Sequence, residues 1–121
     1  MRFIDSDNEF PISSAVLHSG KVFEAVVTGI PDGSHHPVAG GAAAEMREAL
    51  RQLDVLLAEA GVDRKAVCTA RLYLQDVLAD IGAVNEVWKV YFGNHPVCRR
   101  AYGVQLQAGM LVEAAFTAEV G

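Results

Sequence analysis

The sequence lacks the features that identify several classes of protein. Its two cysteines, Cys68 and Cys98, belong to no C-x-x-C pair, which argues against a zinc ribbon and a redox dithiol and favours two reduced thiols. Its apolar runs are short and broken by charges, whereas a helix that crosses a bilayer needs roughly 20 apolar residues. We therefore predict no metal site of the cysteine type and no membrane partner.

Positive charge is also scarce. The chain carries 10 Lys and Arg against 15 Asp and Glu, for a net charge of -5. This balance opposes general binding to phosphate backbones or anionic lipid, so we predict no nucleic-acid partner. The first residues contain one arginine and the acids Asp5, Asp7 and Glu9, which is unlike a secretory signal. The expectation is a cytoplasmic protein with a solvated, acidic N-terminal surface.

The remaining composition is that of an ordinary folded domain. Hydrophobic residues make up 51% of the 121 residues, and charged residues 21%. Such a chain forms one hydrophobic core, so residues 1–121 are predicted to form a single domain. The two-residue and 3.6-residue periodicities of its apolar positions predict the secondary structure. The predicted elements are extended segments at 15–18 and 21–28, a helix at 42–60, a strand at 66–75, a helix around 81–91, and strands at 100–106 and 110–120.

The order of these elements, ββαβαββ, predicts an α+β fold. Each helix has one apolar stripe, which must be buried, so we expect a mixed sheet with both helices packed on one face. The other face of the sheet is then uncovered although it carries β-branched and aromatic side chains. Such a surface favours association of identical chains, and we predict a homo-oligomer.

Several segments, in their order and spacing, resemble one known family. They are residues 11–16 (PISSAV), 27–31 (VTGIP), 66–76 (AVCTARLYLQD), 84–92 (VNEVWKVYF), 96–104 (PVCRRAYGV) and 111–118 (LVEAAFTA). Together they resemble the Rid family, also called the YjgF family, of imine deaminases. The resemblance implies a chorismate-mutase-like homotrimer that holds a small carboxylate-bearing metabolite in clefts between subunits. It also implies hydrolysis of 2-aminoacrylate-type enamines and imines to 2-oxo acids and ammonia without a cofactor.

The resemblance indicates where the substrate would bind. Counting back from Gly103 places Arg99 on the family's arginine, and a guanidinium suits a planar carboxylate because it donates two parallel hydrogen bonds. The interval from Pro96 is one residue longer than usual, so Arg100 remains an alternative, and alternation puts the two arginines on opposite faces. The family's backbone N–H contact corresponds to Thr28 and Gly29.

Other positions depart from the family pattern. Ile12 stands where active members have a tyrosine, Ala115 where they have a water-holding glutamate, and Thr28 where they have a serine. Ala101 is the remaining predicted contact. Glu113 lies two residues from Ala115 and is either a partial substitute for the glutamate or a structural carboxylate. The departures leave two functions open, an imine deaminase with Arg99 as its anchor and a non-catalytic carboxylate binder or metabolic sensor.

A metal site based on histidine is not expected. His35 and His36 are adjacent in a loop, and neither they nor His18 and His95 have the spacing of metal ligands. We predict neither a metal nor a cofactor.

Overall fold

A computed structural model describes residues 1–7 and 9–121. Within these residues, six strands and two α-helices occur in the order βββαβαββ. Their bounds are β1 Arg2–Ser6, β2 Ser13–His18, β3 Val22–Thr28, α1 Gly41–Glu59, β4 Val67–Leu74, α2 Val77–Phe92, β5 Cys98–Gly103 and β6 Val112–Glu119, with a 3-10 turn at Arg64–Ala66 before β4. Apart from β1, the elements match the predicted order, with shifts of a few residues at their ends.

The strands form one six-stranded mixed sheet in the order β1-β2-β3-β6-β4-β5. Every neighbouring pair is antiparallel except β4 and β5, which run parallel. A parallel pair needs a crossover between its strands, and α2 supplies it. The predicted α+β fold and mixed sheet are confirmed.

Strand β1 was not predicted, although the acidic side chains of the N-terminal segment are exposed as expected. Ile4 is its one buried residue and pairs with Ala15 of β2. Asp5 accepts a hydrogen bond of 2.7 Å from the Ser14 hydroxyl. The segment was not predicted because one apolar position gives no periodicity, and pairing with β2 is what makes it a strand.

The helices begin and end where local chemistry dictates. The Asp76 carboxylate accepts a hydrogen bond of 3.1 Å from the Ala79 N–H and thereby caps α2. Gly61, with φ of 79°, follows α1 in the left-handed conformation that glycine adopts without strain. Among the residues described, no helix has the length and apolarity needed to span a membrane.

Both helices cover the same face of the sheet. Apolar side chains of α1 and α2 pack on alternate residues of β3, β4 and β6, and these form one buried cluster. Its most buried large members are Phe23, Met46, Leu53, Leu57, Leu72, Leu74, Val27, Val67, Val84 and Val112. The opposite surface, which we call the open face, is formed by the intervening residues of the strands. The open face is partly or fully exposed.

One irregularity changes which side chains reach the open face. The alternation of residues 66–75 predicted Val67 on the same face as Arg71, and Cys68 on the other. A β-bulge between Val67 and Thr69 breaks that alternation. Val67 is buried and Cys68 is exposed, so the sequence-based assignment was wrong for these two residues and right from Thr69 onward.

Candidate functional site

Two cross-strand rows on the open face carry two arginines, two tyrosines and the carboxylate of Glu113. In register, the first row runs Val26, Ala115, Arg71, Arg100 across β3, β6, β4 and β5. The second row runs Thr28, Glu113, Tyr73, Tyr102. The rings of Tyr73 and Tyr102 stack with centroids 5.9 Å apart, which shows that these neighbours share a face. Cations, a carboxylate and two phenols therefore lie side by side on the open face.

Arg71 and Arg100 are adjacent cations. Both are exposed, and they are register partners on parallel strands. Within the described part of the chain, no ion pair of 4.0 Å or less joins either guanidinium to a carboxylate. Two neighbouring guanidinium groups without a counter-ion repel each other, so this part of the open face favours an anion.

A recess lies beside Arg71. It has a volume of about 310 Å³, and Arg71, Ala115, Val26 and Glu24 contribute to its lining, whereas Arg100 does not. Ala115 contributes only a methyl group, which leaves space beside Arg71. The recess therefore contains one cation and one carboxylate among small side chains.

Arg99 lies on the opposite side of the sheet. It pairs with Ala70, which is buried in the core beneath the helices. Its Nη2 donates a hydrogen bond of 2.8 Å to Oδ1 of Asn85, and its guanidinium carbon lies 4.8 Å from the Trp88 ring centroid. Partial burial lowers the pKa of Arg99. Its contacts within the chain are thus with α2, and the predicted separation of Arg99 and Arg100 onto opposite faces is confirmed.

Ala101 lies on the same side of the sheet as Arg99. It pairs with the fully buried Leu72 and packs against the core. The structure therefore does not bring Ala101 or Arg99 to the surface that carries Ala115 and Thr28.

The predicted Thr28–Gly29 corner is built by contacts with α1. The Thr28 N–H donates to Oε1 of Gln52 at 3.3 Å, and the Thr28 hydroxyl accepts a bond of 3.1 Å from the Ile30 N–H. Gly29 is buried, and a Cβ placed on it would lie 2.5 Å from the Cβ of Glu45. Glycine is therefore required here by the close approach of α1, whatever further role its N–H has.

Ile12 and Thr28 line one further recess. Its volume is about 620 Å³, and Asp5, Asp32 and Gln52 also contribute to its lining. Ile12 is 64% exposed, a large value for an isoleucine. The structure thus brings together Ile12 and Thr28, and Thr28 lies one cross-strand row from Ala115.

Sequence analysis missed Arg71 as a candidate. Alternation places Arg71 correctly on the uncovered side of β4. Its proximity to Arg100 depends on the parallel pairing of β4 with β5, the two strands that α2 connects. Glu113 was considered, and the structure places it between Thr28 and Tyr73. Residues 1–7 and 9–121 contain no group of three or more His, Cys, Asp or Glu side chains arranged to hold a metal.

The fold and the site define an α+β domain with an uncovered sheet face that carries two neighbouring arginines and more than one recess. A family model described as Endoribonuclease L-PSP matches residues 7–120. The chain is 36% identical to the 2-iminobutanoate/2-iminopropanoate deaminase of Rattus norvegicus over 92 residues, which are 76% of this chain and 66% of that protein. It is 35% identical to the Mus musculus protein of the same name over 104 residues, which are 85% and 76% of the two chains.

Solved structures agree with these sequence matches. The YjgF gene product of E. coli superposes with a TM-score of 0.82 at 18% identity, covering 97% of this chain and 92% of that one. A Rid-family protein from Yersinia pestis superposes with a TM-score of 0.85 at 24% identity, covering 97% and 93%. These likenesses show the fold. The chain belongs to the Rid/YjgF family, which confirms the resemblance found in the sequence.

Proposed function

We propose that this protein hydrolyses small 2-imino acids to 2-oxo acids and ammonia in a cleft between its subunits. In this proposal residues 1–121 act as one domain, and three copies associate so that a neighbouring subunit closes the site into a cleft. The deaminase names of the relatives support the reaction class. The predicted cytoplasmic location belongs to the same proposal, and the reaction needs no cofactor.

The observation that carries the proposal is Arg99 beside Asn85 and Trp88, since all three line a recess of about 550 Å³. A 2-imino acid always presents a carboxylate next to its reactive carbon. Arg99 uses one nitrogen for Asn85 and keeps further N–H groups for such a carboxylate. Arg99 therefore remains the proposed substrate anchor, and Arg100, exposed on the open face, remains the alternative.

The chemistry requires a positioned water. Its oxygen adds to the imine carbon, the nitrogen takes up protons, and the carbon–nitrogen bond of the resulting carbinolamine then breaks to release ammonia and the 2-oxo acid. An enamine substrate first takes a proton on carbon and becomes the imine. Glu113 is the carboxylate that we assign to hold the water and accept its proton. It lies on the open face, so in this proposal it comes from the subunit that closes the cleft over Arg99.

A second function, carboxylate binding without catalysis, is favoured by two residues. Ile12 and Ala115 offer no polar atom to a water or an imine nitrogen. On this alternative the arginines bind a 2-oxo acid as a metabolic signal, and Glu113 has only a structural role.

The test compares two arginines that alternation puts on opposite faces. An amino-acid oxidase generates 2-iminopropanoate or 2-iminobutanoate, semicarbazide traps the surviving imine, and hydrolysis is measured as the loss of trapped product relative to buffer. We expect wild type to accelerate hydrolysis and Arg99→Gln to reduce kcat/KM by about 10- to 100-fold, because a charge-assisted hydrogen-bonded pair is lost. Arg100→Gln is expected to retain activity within about threefold.

Each outcome separates the alternatives. A large loss with Arg100→Gln and none with Arg99→Gln makes Arg100 the anchor. Wild type without acceleration rules out the deaminase. In that case, thermal stabilisation by pyruvate that Arg99→Gln abolishes would support the carboxylate binder.

A further inference from the structure

We propose that Gly82 is a specificity-determining residue, which leaves room beside Arg99 for a 2-imino acid with a bulky uncharged side chain. This inference rests on the proposed function and names its substrate class. It begins from the position of Gly82 in the interior of α2, where glycine stabilises a helix less than any other residue except proline.

Packing within the chain does not require a glycine at this position. A Cβ placed on Gly82 would meet nothing within 4 Å, whereas one placed on Gly29 would lie 2.5 Å from the Cβ of Glu45. Gly82 also lies in regular helix, without the positive φ that favours glycine. The property that glycine provides here is therefore the empty space beside it.

That space belongs to the Arg99 recess. Gly82 and Asn85 are one turn apart on α2, and both line the recess of about 550 Å³ together with Arg99. Recesses of roughly 300 to 1,000 Å³ hold drug-sized molecules, and the smallest 2-imino acids are much smaller than that. When Arg99 binds the carboxylate, the rest of the recess, including the wall at Gly82, is free for the substrate side chain.

The charges of the recess favour an uncharged side chain. Arg99 is matched by the substrate carboxylate. The other two charged residues of the lining, Lys89 and Glu86, form an ion pair of 3.6 Å with each other. Val97 and Trp88 add apolar surface to the lining. A branched or aromatic hydrocarbon side chain is stabilised there by burial, whereas a second carboxylate would meet no unpaired cation.

The experiment compares the imine of phenylalanine with 2-iminopropanoate in the trapping assay, and we expect wild type to hydrolyse both. Gly82→Leu is expected to reduce kcat/KM for the aromatic imine by about 10- to 100-fold, because the leucine fills the space that the ring needs. It is expected to leave 2-iminopropanoate within about threefold. Gly82→Ala adds one methyl group and should give a smaller loss of the same selectivity.

Ala83→Leu is the matched control. It adds a leucine to the neighbouring exposed position of α2, which does not line this recess, and is expected to change neither value. A loss in Gly82→Leu that is equal for the two imines, or no loss for either, overturns the inference and leaves the deaminase proposal standing. Dissociation of Gly82→Leu in light scattering also overturns it, because Gly82 then provides room for a neighbouring subunit.

A binding measurement separates the inference from the reaction. We expect phenylpyruvate to stabilise wild type against heat more than pyruvate does, and Gly82→Leu to remove the difference. If wild type accelerates neither imine, the deaminase proposal is wrong, and this measurement alone decides the role of Gly82. Equal stabilisation of wild type and Gly82→Leu by phenylpyruvate contradicts that role.

Discussion

Gly29 shows how a single residue is constrained from outside its own strand. Its position at the end of β3 is compatible with a turn or with a ligand contact, and the sequence does not distinguish them. The structure adds a third constraint, because the backbone and Cβ of Glu45 approach it closely. Glu45 is itself buried, and its Oε1 accepts a bond of 2.8 Å from the Leu111 N–H. The corner is thus held by α1 and by the segment that leads into β6.

Gly29→Ala tests this constraint, and a glycine with free space around its Cα provides the control. A Cβ at position 29 would lie 2.8 Å from the Glu45 Cα, so we expect the free energy of unfolding to fall by about 2 to 3 kcal/mol. The control is Gly82→Ala, since a Cβ there meets nothing within 4 Å on α2. It is expected to stabilise by about 0.5 to 1 kcal/mol. Urea unfolding of both variants measures the contrast, and equal effects would contradict it.

At the scale of elements, the two helices are joined by a polar contact at their outer surface. The Tyr91 hydroxyl of α2 donates a bond of 2.6 Å to the Asp54 carboxylate of α1. Arg64, from the turn before β4, stacks 3.9 Å from the Tyr91 ring centroid and bonds to Asp54 at 3.1 Å. Burial, followed by the hydrogen bond to Asp54, raises the pKa of Tyr91. The contact ties three elements that are distant in sequence.

Tyr91→Phe is expected to lower the free energy of unfolding by about 1 kcal/mol at pH 7, through loss of one hydrogen bond to a charged group. Because folding raises the pKa of this phenol, its stabilising contribution is complete below the unfolded value of about 10 and declines as the pH rises above it. The difference between wild type and variant should therefore shrink between pH 9 and roughly pH 11. Denaturant unfolding across that range measures it, and a difference that is constant with pH contradicts the assignment.

At the scale of the whole molecule, the open face presents apolar side chains beside the charged row. Val26, at the centre of the open face, is 51% exposed. Phe3 of β1 is 58% exposed. It lies on the same side of the sheet, because its partner Val16 alternates with the buried Ala15. The proposed trimer accounts for this exposure, because identical chains that cover the open face remove these side chains from water.

Val26→Arg tests the proposed trimer, and Val90→Arg is the control. Val26 lies on the open face and Val90, which is 88% exposed, lies on α2 at the opposite side of the molecule. We expect light scattering to give three times the 13.0 kDa chain mass for wild type and Val90→Arg. Val26→Arg should dissociate, because it would bury a further unpaired cation beside Arg71. A monomeric wild type at micromolar concentration would refute the association.

Periodicity in the sequence determined the helices, most of the strands, the α+β class and the existence of an uncovered sheet face. These depend on which residues alternate or recur within one segment, and that property is local. The motifs also determined the family. Even the opposite orientation of Arg99 and Arg100 follows from alternation alone.

Only the tertiary structure decided which of those segments lie next to each other. Pairing with β2 makes a strand of residues 2–6, and the bulge at Val67 reverses the faces of two residues. Parallel pairing of β4 with β5 places Arg71 beside Arg100, and packing of α2 on the sheet gives Arg99 its contacts with Asn85 and Trp88. The physical reason is that strand neighbours and helix docking follow from burial summed over the whole chain, which no short segment encodes.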